Sequence, residues 1–535
     1  MLKIALAQFN FAVGDIDNNL VLSRKLIAEA AANGADLIFF PELSLSGYPP
    51  EDLLLRSGFM EAVEAALKQL AAETNTIDVI IGHPSNRSGQ RFNCLSWISA
   101  GSIRATYQKQ RLPNYLVFDE HRYFQQGNHP LVIDIKGYKL GLLICEDSWD
   151  PQVVHACVDA GAELLLVANA SPYARGKFPH RLNDMGERCQ ETNRPMIYLN
   201  TSGGQDELVF DGRSMLINAE GELISSGPLC EDSLLYCQLD KSGLQADWPE
   251  TELAELEEIY RVLVTGLRDY VHKNGFSEVV LGLSGGIDSA LTLILAHDAL
   301  GAENVHTIMM PSRHTSQLSL DLAIEQADLL GIDHRTISIE PSFRAFLDSL
   351  DPAFTDQATD ITEENIQARC RGVIVMALSN KFGWLPLSTG NKSELAVGYS
   401  TIYGDMAGGF APIKDCAKTL VFELCNFRNS VSPAIPQAVI DRPPSAELAP
   451  DQKDEDSLPP YPVLDAILEQ YVEQDRSVKE IVAQGFDPAT VERVATMVLM
   501  NEYKRRQAAP GVRITARAFG RDRRYPITSG WRDRL

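Results

Sequence analysis

Residues 278–300 read EVVLGLSGGIDSALTLILAHDAL, and this stretch decides the fold of the second half of the chain. The apolar run at 279–281 predicts a buried strand, and the pattern after Asp288 predicts an amphipathic helix. Two glycines between them permit a tight turn, so backbone N–H groups, serine hydroxyls and the positive end of the helix can converge. The stretch therefore predicts a site for phosphate oxygens, with Asp288 placed to hold an accompanying magnesium ion.

The spacing of SGGIDS at 284–289 separates it from two common nucleotide-binding motifs. No Gly-Lys-Ser/Thr follows the glycines, and the pattern is not GxGxxG. Ordinary tight turns also use Ser-Gly-Gly, but the Asp-Ser pair and the helix behind it favour a nucleotide site. The loop resembles that of the pyrophosphatase-type ATP family, which splits ATP into AMP and pyrophosphate to activate a carboxyl or carbonyl group. The resemblance implies ATP contacts at Gly282, Leu283, Ser284, Gly285, Gly286, Ile287, Asp288 and Ser289.

Length, charge and cysteine spacing restrict the class of protein. The 535 residues predict several domains, since about 150 residues per domain is typical. The net charge of -24 argues against binding to nucleic acid through phosphate neutralisation. The nine cysteines form no CxxC pair, which predicts reduced thiols. With no signal peptide and no run of about 18 apolar residues, we expect a soluble cytoplasmic protein without a membrane partner.

The basic residues are concentrated at the end of the chain. From Lys504 onwards, ten Lys/Arg stand against two Asp/Glu. Blocks of like charge usually face solvent or a partner. We therefore expect the basic C-terminal tail to be a solvated arm or a subunit contact.

The first 240 residues alternate short apolar runs with helical patterns, which predicts packed sheets covered by helices. Residues 241–258 contain Gly, Pro and a run of acids, as a linker does. We therefore predict a first domain at 1–240 and a second domain at 259–535. Strands of the first domain are expected at 3–8, 36–40, 77–82, 92–98, 103–108, 138–144, 163–168, 196–201 and 208–217.

Three residues with useful chemistry follow expected strands of the first domain. Glu42 comes after DLIFF, Lys109 after IRATYQ, and Cys145 after KLGLLI. A carboxylate can take the proton of a thiol that attacks an amide, and an ammonium group favours the thiolate and the oxyanion. Each residue alone has an ordinary explanation, as a small buried side chain or a solvated strand end. Together they predict an amide-cleaving site that needs no histidine.

The contexts FFPELSLSGYPPEDLL, YQKQRLPNYLVFDEHRYF and LLICEDSWDP resemble the nitrilase superfamily. The resemblance implies a stacked αββα sandwich for the first domain. It also implies that Cys145 is the nucleophile, Glu42 the general base and Lys109 the oxyanion-stabilising cation. Supporting roles are implied for Glu120 and the backbone N–H of Glu146, and glutamine contacts for Tyr115, Ser171 and Lys177.

The second domain continues with a strand at 305–310, a helix, and a strand at 334–339. This alternation predicts a Rossmann-like parallel sheet, so the fold class is α/β throughout. Ligands of such sheets lie beyond the carboxyl ends of the strands. Ser284 lies there, and so do residues 311–315, which are placed to border the adenine.

Residues 361–405 read ITEENIQARCRGVIVMALSNKFGWLPLSTGNKSELAVGYSTIYGD. Together with the loop at 284–289, they resemble the NAD synthetase family, and the first domain resembles the glutaminase of its glutamine-dependent branch. On the residues alone, Asn365 reads as a surface position of a helix. The resemblance implies ATP contacts at Thr389 and Lys418, deamido-NAD contacts at Asn365, Glu394 and Lys504, and magnesium ligands at Asp288 and Glu394.

Two positions depart from the family pattern, and one loop agrees with it. Ile402 and Gly409 stand where ammonia-dependent relatives carry a lysine and an aspartate, so the contacts to the nicotinate end are open.

Residues 438–462 are rich in Pro and Asp, which predicts a flexible loop. Their match to PSAEL…DQxDE…LPPY implies that this loop orders over the active site and excludes water.

The resemblance implies ATP-dependent amidation of deamido-NAD to NAD, through an adenylated nicotinate, with ammonia supplied from glutamine at Cys145. It implies Mg²⁺ with ATP and no prosthetic group, three small-molecule substrates (ATP, deamido-NAD and glutamine), and a homodimer or larger homo-oligomer formed through the synthetase domain. Asparagine synthetase would need an N-terminal cysteine, and GMP synthetase a Cys-His-Glu glutaminase. A nucleotide sensor attached to an amidase, and an ammonia-only synthetase with a decayed first domain, are the remaining alternatives.

Overall fold

The computed structural model describes residues 1–248, 253–355, 357–449, 452 and 454–534. Contacts within the chain divide it into two units, Met1–Leu253 and Ala254–Leu535. Within these described ranges, no helix has both the length and the apolar character needed to cross a membrane.

The first unit contains two large sheets and one two-stranded sheet. The large sheets have the strand orders β15-β14-β1-β2-β3-β4-β5 and β13-β12-β9-β8-β7-β6, and β10 pairs with β11. The strands are β1 (Leu2–Gln8), β2 (Leu37–Phe39), β3 (Asp78–Arg87), β4 (Gln90–Ser99), β5 (Ser102–Gln108), β6 (Leu131–Ile135), β7 (Tyr138–Ile144), β8 (Leu164–Asn169), β9 (Met196–Asn200), β10 (Ser202–Gln205), β11 (Leu208–Asp211), β12 (Met215–Ile217), β13 (Leu223–Ser226), β14 (Ser233–Asp240) and β15 (Gly243–Gln245). The helices are α1 (Ile16–Ala32), α2 (Ser57–Glu73), α3 (Pro151–Asp159) and α4 (Lys177–Thr192), with 3₁₀ turns at Glu51–Leu55, Glu120–Arg122 and Cys145–Ser148.

The two large sheets face each other across an apolar core. Alternate residues of a strand point to opposite faces, so Leu6 of β1 and Leu142 of β7 meet inside this core, both fully buried. Ala7 points outward to α1 and α2, and Leu143 points outward to α3 and α4. These four layers form an αββα sandwich. The fold class predicted for the first domain is confirmed.

Two parts of the first unit differ from the predicted elements. The run 208–217 forms two strands that belong to different sheets, because Gly212 turns the chain with a φ of +64°. The sheet also continues past residue 240, where the linker was expected, because β15 pairs with β14 and Trp248 packs into the core. Residues 249–252 of the predicted linker lie outside the described residues.

The second unit is built on one parallel sheet of order β18-β17-β16-β19. The chain order reverses between β16 and β19, and ligands of open α/β sheets bind beyond such a switch point. Its strands are β16 (Val279–Gly282), β17 (Val305–Met309), β18 (Asp333–Thr336) and β19 (Leu385–Leu387). Its helices are α5 (Glu255–Lys273), α6 (Ile287–Leu300), α7 (Gln317–Leu330), α8 (Glu340–Leu350), α9 (Ile361–Phe382), α10 (Lys392–Val397), α11 (Lys418–Val431), α12 (Gln437–Asp441), α13 (Tyr461–Leu468), α14 (Val478–Val482), α15 (Pro488–Met500) and α16 (Glu502–Arg505), with a π-helical turn at Glu469–Glu473.

The basic tail packs onto its own unit more closely than predicted. Arg505 and Arg523 both bind the buried carboxylate of Glu502, at 2.9 and 2.8 Å, and Arg513 binds Asp522 at 2.6 Å. These three arginines are buried, so the prediction of a solvated or subunit-contacting arm is wrong for them. The reason is that their acidic partners come from the same part of the chain.

Candidate active sites

Cys145 is held in an unusual backbone conformation where β7 ends. Its φ is +45°, in the left-handed region that few non-glycine residues adopt, and it begins the 3₁₀ turn Cys145–Ser148. The Ser148 hydroxyl donates to the Cys145 carbonyl at 2.7 Å. Strained residues of this kind collect at functional sites. The turn therefore fixes a buried thiol at the carboxyl end of an inner strand.

Glu42, Lys109 and Glu120 form a buried cluster. Lys109 Nζ donates to Glu42 Oε1 at 2.6 Å and to Glu120 Oε1 at 2.9 Å. Glu42 is oriented further by Asn93 Nδ2 at 2.7 Å and by the Ala170 N–H at 3.1 Å. All these side chains are almost inaccessible to water, so each charge depends on its neighbours.

The surroundings keep the Cys145 thiol protonated at rest. Burial raises the pKa of Cys145 well above its usual value, Glu42 raises it further, and Lys109 opposes the rise. Burial by itself would lower the pKa of Lys109, but Glu120 and Glu42 raise it well above its usual value. Lys109 is therefore a permanent cation. The thiol needs a base before it can attack, and the Glu42 carboxylate is positioned to be one.

Glu120 has a raised proton affinity. Burial raises the pKa of Glu120 to about 7, although Lys109 lowers it. The Tyr48 hydroxyl donates to Glu120 Oε1 at 3.0 Å. Glu120 is thus the second carboxylate partner of Lys109.

The residues predicted to contact glutamine lie around the same site. The half-exposed Tyr115 donates its hydroxyl to the Glu146 carboxylate at 3.0 Å. Ser171 is buried directly after Ala170, whose N–H binds Glu42. Lys177 donates to the Pro172 carbonyl at 3.0 Å, and its charge acts on Glu146.

Two features of this site were not predicted. The buried Asp147 accepts hydrogen bonds from the Ile144 N–H, Tyr107 hydroxyl, Gln110 N–H and Arg111 N–H, at 3.1, 2.8, 2.9 and 2.7 Å. It thereby joins the residue before Cys145 to the residues after Lys109. The sequence could not distinguish Asp147 from the nearby acidic residues Glu146 and Asp150.

The second unpredicted feature is a buried ion pair behind Ser171. Arg181 is fully buried and pairs with Asp211 at 3.2 Å, and its Nη2 also donates to Ser171 Oγ at 3.3 Å. Asn200 donates to Asp211 at 3.0 Å. Arg181 therefore orients the predicted glutamine contact without facing solvent.

In the second unit, the diglycine turn Gly285-Gly286 lies at the carboxyl end of β16. Gly285 has a φ of +73°, and a Cβ there would lie 2.4 Å from the Ser319 carbonyl oxygen. The Ser289 hydroxyl donates to the Gly286 carbonyl at 2.9 Å and closes the turn. Helix α6 begins at Ile287, so the turn presents N–H groups at a helix N-terminus.

A cavity extends from this turn toward the end of β19. It is lined by all the predicted ATP residues except Gly285, together with Glu394 and Thr315. Lys418 Nζ bridges two carboxylates here, donating to Asp288 at 2.5 Å and to Glu394 at 3.1 Å. Asn391 donates to Asp288 at 2.8 Å. Burial raises the pKa of Glu394 to about 8, Lys418 lowers it, and Asp288 raises it.

The donor set fits a magnesium ion that reaches the site with a nucleotide. Asp288 and Glu394 converge on one cationic nitrogen, so their oxygens already face a common point. In the part of the chain that is described, no group of three or more His, Cys, Asp or Glu forms a complete metal cage. Magnesium commonly binds one or two carboxylates and takes its other ligands from phosphates and water.

The predicted dinucleotide contacts lie at different depths. Asn365 accepts a hydrogen bond at 2.7 Å from Thr401, which lines the cavity. Lys504 donates to the Gly398 and Ser400 carbonyls at 2.7 and 2.9 Å. The structure therefore places Glu394 on the cavity wall and Asn365 behind Thr401, whereas Lys504 binds the backbone on either side of Tyr399, which lines the cavity.

The structure shows what surrounds Gly409 and Ile402, the two positions that depart from the family pattern. A Cβ at Gly409 would lie 2.5 Å from Leu385 Cδ1, so an aspartate here would require the Leu385 side chain to move. The Ile402 carbonyl accepts a hydrogen bond from Arg369 at 3.3 Å. Arg371 and Arg442, which were not predicted, bring positive charge to the cavity wall.

Residues 438–449, which we call the strap, cover one side of this cavity. The Glu447 carboxylate accepts hydrogen bonds from the Ser316 and Ser319 hydroxyls at 2.9 and 2.7 Å. Gln367 donates to the Leu448 carbonyl at 3.1 Å. The strap therefore forms part of the cavity wall, whereas composition alone predicted a flexible loop. Residues 450, 451 and 453 of that predicted loop lie outside the described residues.

Replacement of Asp147 by asparagine should reduce the reactivity of Cys145. The amide would offer N–H groups to donors that now bind a carboxylate, so the Cys145 turn and the Lys109 loop would lose their common anchor. We expect alkylation of Cys145 by iodoacetamide, followed by mass spectrometry, to slow by at least about tenfold. Asp134→Asn is the control, because Asp134 is exposed and also accepts a backbone N–H. Equal rates in the two variants would contradict this role.

Replacement of Gly285 by alanine should disrupt the diglycine turn. The added Cβ would clash with a backbone oxygen, in addition to about 1–2 kcal/mol for the left-handed conformation. We expect ATP affinity, measured by calorimetry, to fall by at least about tenfold. Gly331→Ala is the control, because Gly331 has a φ of +67° but open space at the Cβ position. If both variants bind ATP like the parent, the turn is not the nucleotide site.

Comparisons with known proteins give a family for each part of the chain. Residues 3–247 match the carbon-nitrogen hydrolase family and residues 259–508 match NAD synthase. The chain is 51% identical to the glutamine-dependent NAD(+) synthetase of Xanthomonas campestris, over 99% of this chain and 98% of that protein. It is 44% identical to that of Thermotoga maritima over the full length of both.

Solved structures give the same result. The glutamine-dependent NAD+ synthetase of Acinetobacter baumannii, solved in complex with ADP, has a TM-score of 0.81 at 45% identity and covers 100% of both chains. That of Cytophaga hutchinsonii has a TM-score of 0.84 at 23% identity, which shows the same fold, over 99% of this chain and 98% of that chain. The family and the α/β fold class predicted from the sequence are confirmed. This chain belongs to the glutamine-dependent NAD(+) synthetases.

Proposed function

We propose that this protein converts deamido-NAD to NAD, using ATP and the amide nitrogen of glutamine. The observation that carries the proposal is the presence of two complementary sites in one chain. The first places a buried thiol under the influence of Glu42 and Lys109. The second places a diglycine turn beside two carboxylates that share Lys418. One site suits release of ammonia from an amide, and the other suits activation of a carboxyl group by ATP.

In the glutaminase site, Glu42 takes the proton of Cys145 and the sulfur attacks the amide carbon of glutamine. Lys109 and the backbone N–H of Glu146 stabilise the oxyanion, while Tyr115, Ser171 and Lys177 hold the amino acid. The carbon–nitrogen bond then breaks, and Glu42 returns the proton to the leaving ammonia. Water attacks the remaining thioester, Glu42 takes a proton from that water, and glutamate leaves as the thiol is restored.

In the synthetase site, the nicotinate carboxylate attacks the α-phosphorus of ATP, and pyrophosphate leaves. The diglycine turn binds phosphate oxygens through its N–H groups, and Lys418 supplies positive charge. Asp288 and Glu394 would hold Mg²⁺, which neutralises phosphate charge when bound. Ammonia then attacks the adenylated carboxyl carbon, AMP leaves, and NAD is formed. Asn365, Glu394 and Lys504 position the dinucleotide, and Thr389 contacts ATP.

Joining the two activities in one chain has a chemical reason. Ammonia in neutral water is mostly ammonium, which has no free electron pair for attack. Delivery of ammonia from Cys145 to the adenylate without release into solvent avoids this loss. We also propose that the chain acts in the cytoplasm as a homodimer or larger homo-oligomer formed through the synthetase domain, as the family resemblance implies.

The alternatives predict different products. An amidase regulated by a nucleotide sensor would release no pyrophosphate when deamido-NAD and ATP are present. An asparagine or GMP synthetase would not require deamido-NAD. Pyrophosphate release that depends on deamido-NAD therefore distinguishes the proposed reaction from all three.

Replacement of Cys145 by alanine should separate the two nitrogen sources. Synthesis of NAD from glutamine should fall by at least about 1,000-fold, because the nucleophile is lost. Synthesis from ammonium salts should be retained, because the adenylating site is unchanged. Cys94→Ala is the control, since Cys94 is buried in the same unit and belongs to no proposed site. Equal loss with both nitrogen sources would contradict separate sites.

Replacement of Asp288 by alanine should have the opposite pattern. NAD synthesis from either nitrogen source should fall by at least about 100-fold, because a metal ligand and a partner of Lys418 are lost. Hydrolysis of glutamine, measured as glutamate release, should persist. Asp321→Asn is the control, because Asp321 is exposed on α7. Retention of ATP-dependent synthesis in Asp288→Ala would place the chemistry elsewhere.

A further inference from the structure

Arg442, on the strap, brings a positive charge to the diglycine turn. Its Nη2 lies 3.8 Å from the position that a Cβ on Gly286 would occupy. Its Nη1 donates to Ser319 Oγ at 2.8 Å, and the Ser319 carbonyl lies against Gly285. The guanidinium therefore stands beside both glycines, on the side of the cavity that the strap covers.

The existing contacts of Arg442 do not use all of its donors. A guanidinium has five N–H groups in a fixed plane. Among the described residues, the Arg442 side chain donates one hydrogen bond, to Ser319, and the nearest carboxylate oxygen, on Glu447, is 4.0 Å away. The Glu447 carboxylate instead accepts shorter hydrogen bonds from the Ser316 and Ser319 hydroxyls. Arg442 thus retains hydrogen-bonding capacity toward the cavity.

The charge on the other wall of the site is distributed differently. Lys418 already bridges Asp288 and Glu394, so its charge is matched by two carboxylates. Arg371 donates to the Met310 carbonyl at 3.1 Å, beyond β17. An anion that binds the N–H groups of the diglycine turn would have Arg442 as its neighbour, and arginine is well suited to bind phosphate through two parallel hydrogen bonds.

We propose that Arg442 binds the terminal phosphates of ATP and stabilises the pyrophosphate that leaves. This inference rests on the proposed function and adds one residue to it. When the carboxylate oxygen bonds to the α-phosphorus, the bond from that phosphorus to the bridging oxygen breaks. The electron pair of that bond passes to the leaving pyrophosphate. The N–H groups of Arg442 then donate hydrogen bonds to the oxygens that gain this charge, and no proton is transferred.

The competing explanation is that Arg442 only fixes the strap to Ser319. Loss of Glu447 tests this explanation directly, because Glu447 binds the same serine and is part of the same strap. If Arg442 acts only as an anchor, Glu447→Gln and Arg442→Ala should have similar effects. If Arg442 binds phosphate, Arg442→Lys should restore part of the function, because it keeps the charge.

The test uses the full-length protein and two measurements. Binding of inorganic pyrophosphate with magnesium is measured by calorimetry, and exchange between pyrophosphate and ATP is measured with deamido-NAD but without glutamine or ammonia. For Arg442→Ala, we expect at least a tenfold loss in both. Arg442→Lys should recover at least half of the lost exchange rate, and Glu447→Gln should stay within threefold of the parent. Arg344→Ala is the control, because Arg344 is an exposed arginine of the same unit.

Any of three results would overturn the inference. The first is that Arg442→Ala binds pyrophosphate, and exchanges it with ATP, within threefold of the parent. The second is that Glu447→Gln loses as much binding and exchange as Arg442→Ala, and the third is that Arg442→Lys recovers none of the lost exchange rate. Failure of the proposed function would look different, because the parent protein itself would show no exchange that depends on deamido-NAD. Glutaminase turnover should be unchanged in Arg442→Ala, because Arg442 lies in the second unit.

Discussion

A buried lysine shared by two carboxylates is the interaction on which both sites depend. Lys109 joins Glu42 to Glu120 in the first unit, and Lys418 joins Asp288 to Glu394 in the second. Removing such charges from water is costly, and an unpaired member would be strongly destabilising. Each lysine therefore holds two carboxylates in fixed positions, and in each triad one of them has a raised pKa. The fold keeps reactive acids close together by placing a permanent cation between them.

The two units bring their reactive groups together by the same route, although their sheets differ. Cys145 follows β7, an inner strand of a mixed sheet, and the diglycine turn follows β16, an inner strand of a parallel one. A 3₁₀ turn begins at one strand end and helix α6 follows the other, and N–H groups at a helix N-terminus can bind an anion. The rigid strands set the positions, and the loops supply the chemistry.

The sequence alone predicted the fold class and the family, because strand periodicity and the SGGIDS loop are local signals. It also proposed Glu42, Lys109 and Cys145, since each follows a strand and has a chemistry that complements the others. Asp147, Arg181 and Arg442 could not be found in this way. Their importance depends on contacts between segments that are far apart in the chain, such as the one between Asp147 and Gln110. The net charge of the tail also led to a wrong prediction for its buried arginines, because a count of charges does not show that Arg523 forms an ion pair with Glu502.

The position of Arg523 affects how the second unit is completed during synthesis. The match to the NAD synthase family ends at residue 508, but the buried carboxylate of Glu502 receives one of its two buried arginine partners from beyond that point. A nascent chain that has emerged only as far as residue 508 would leave this carboxylate with half of those partners. Full packing around Glu502 therefore requires residue 523 to be in place.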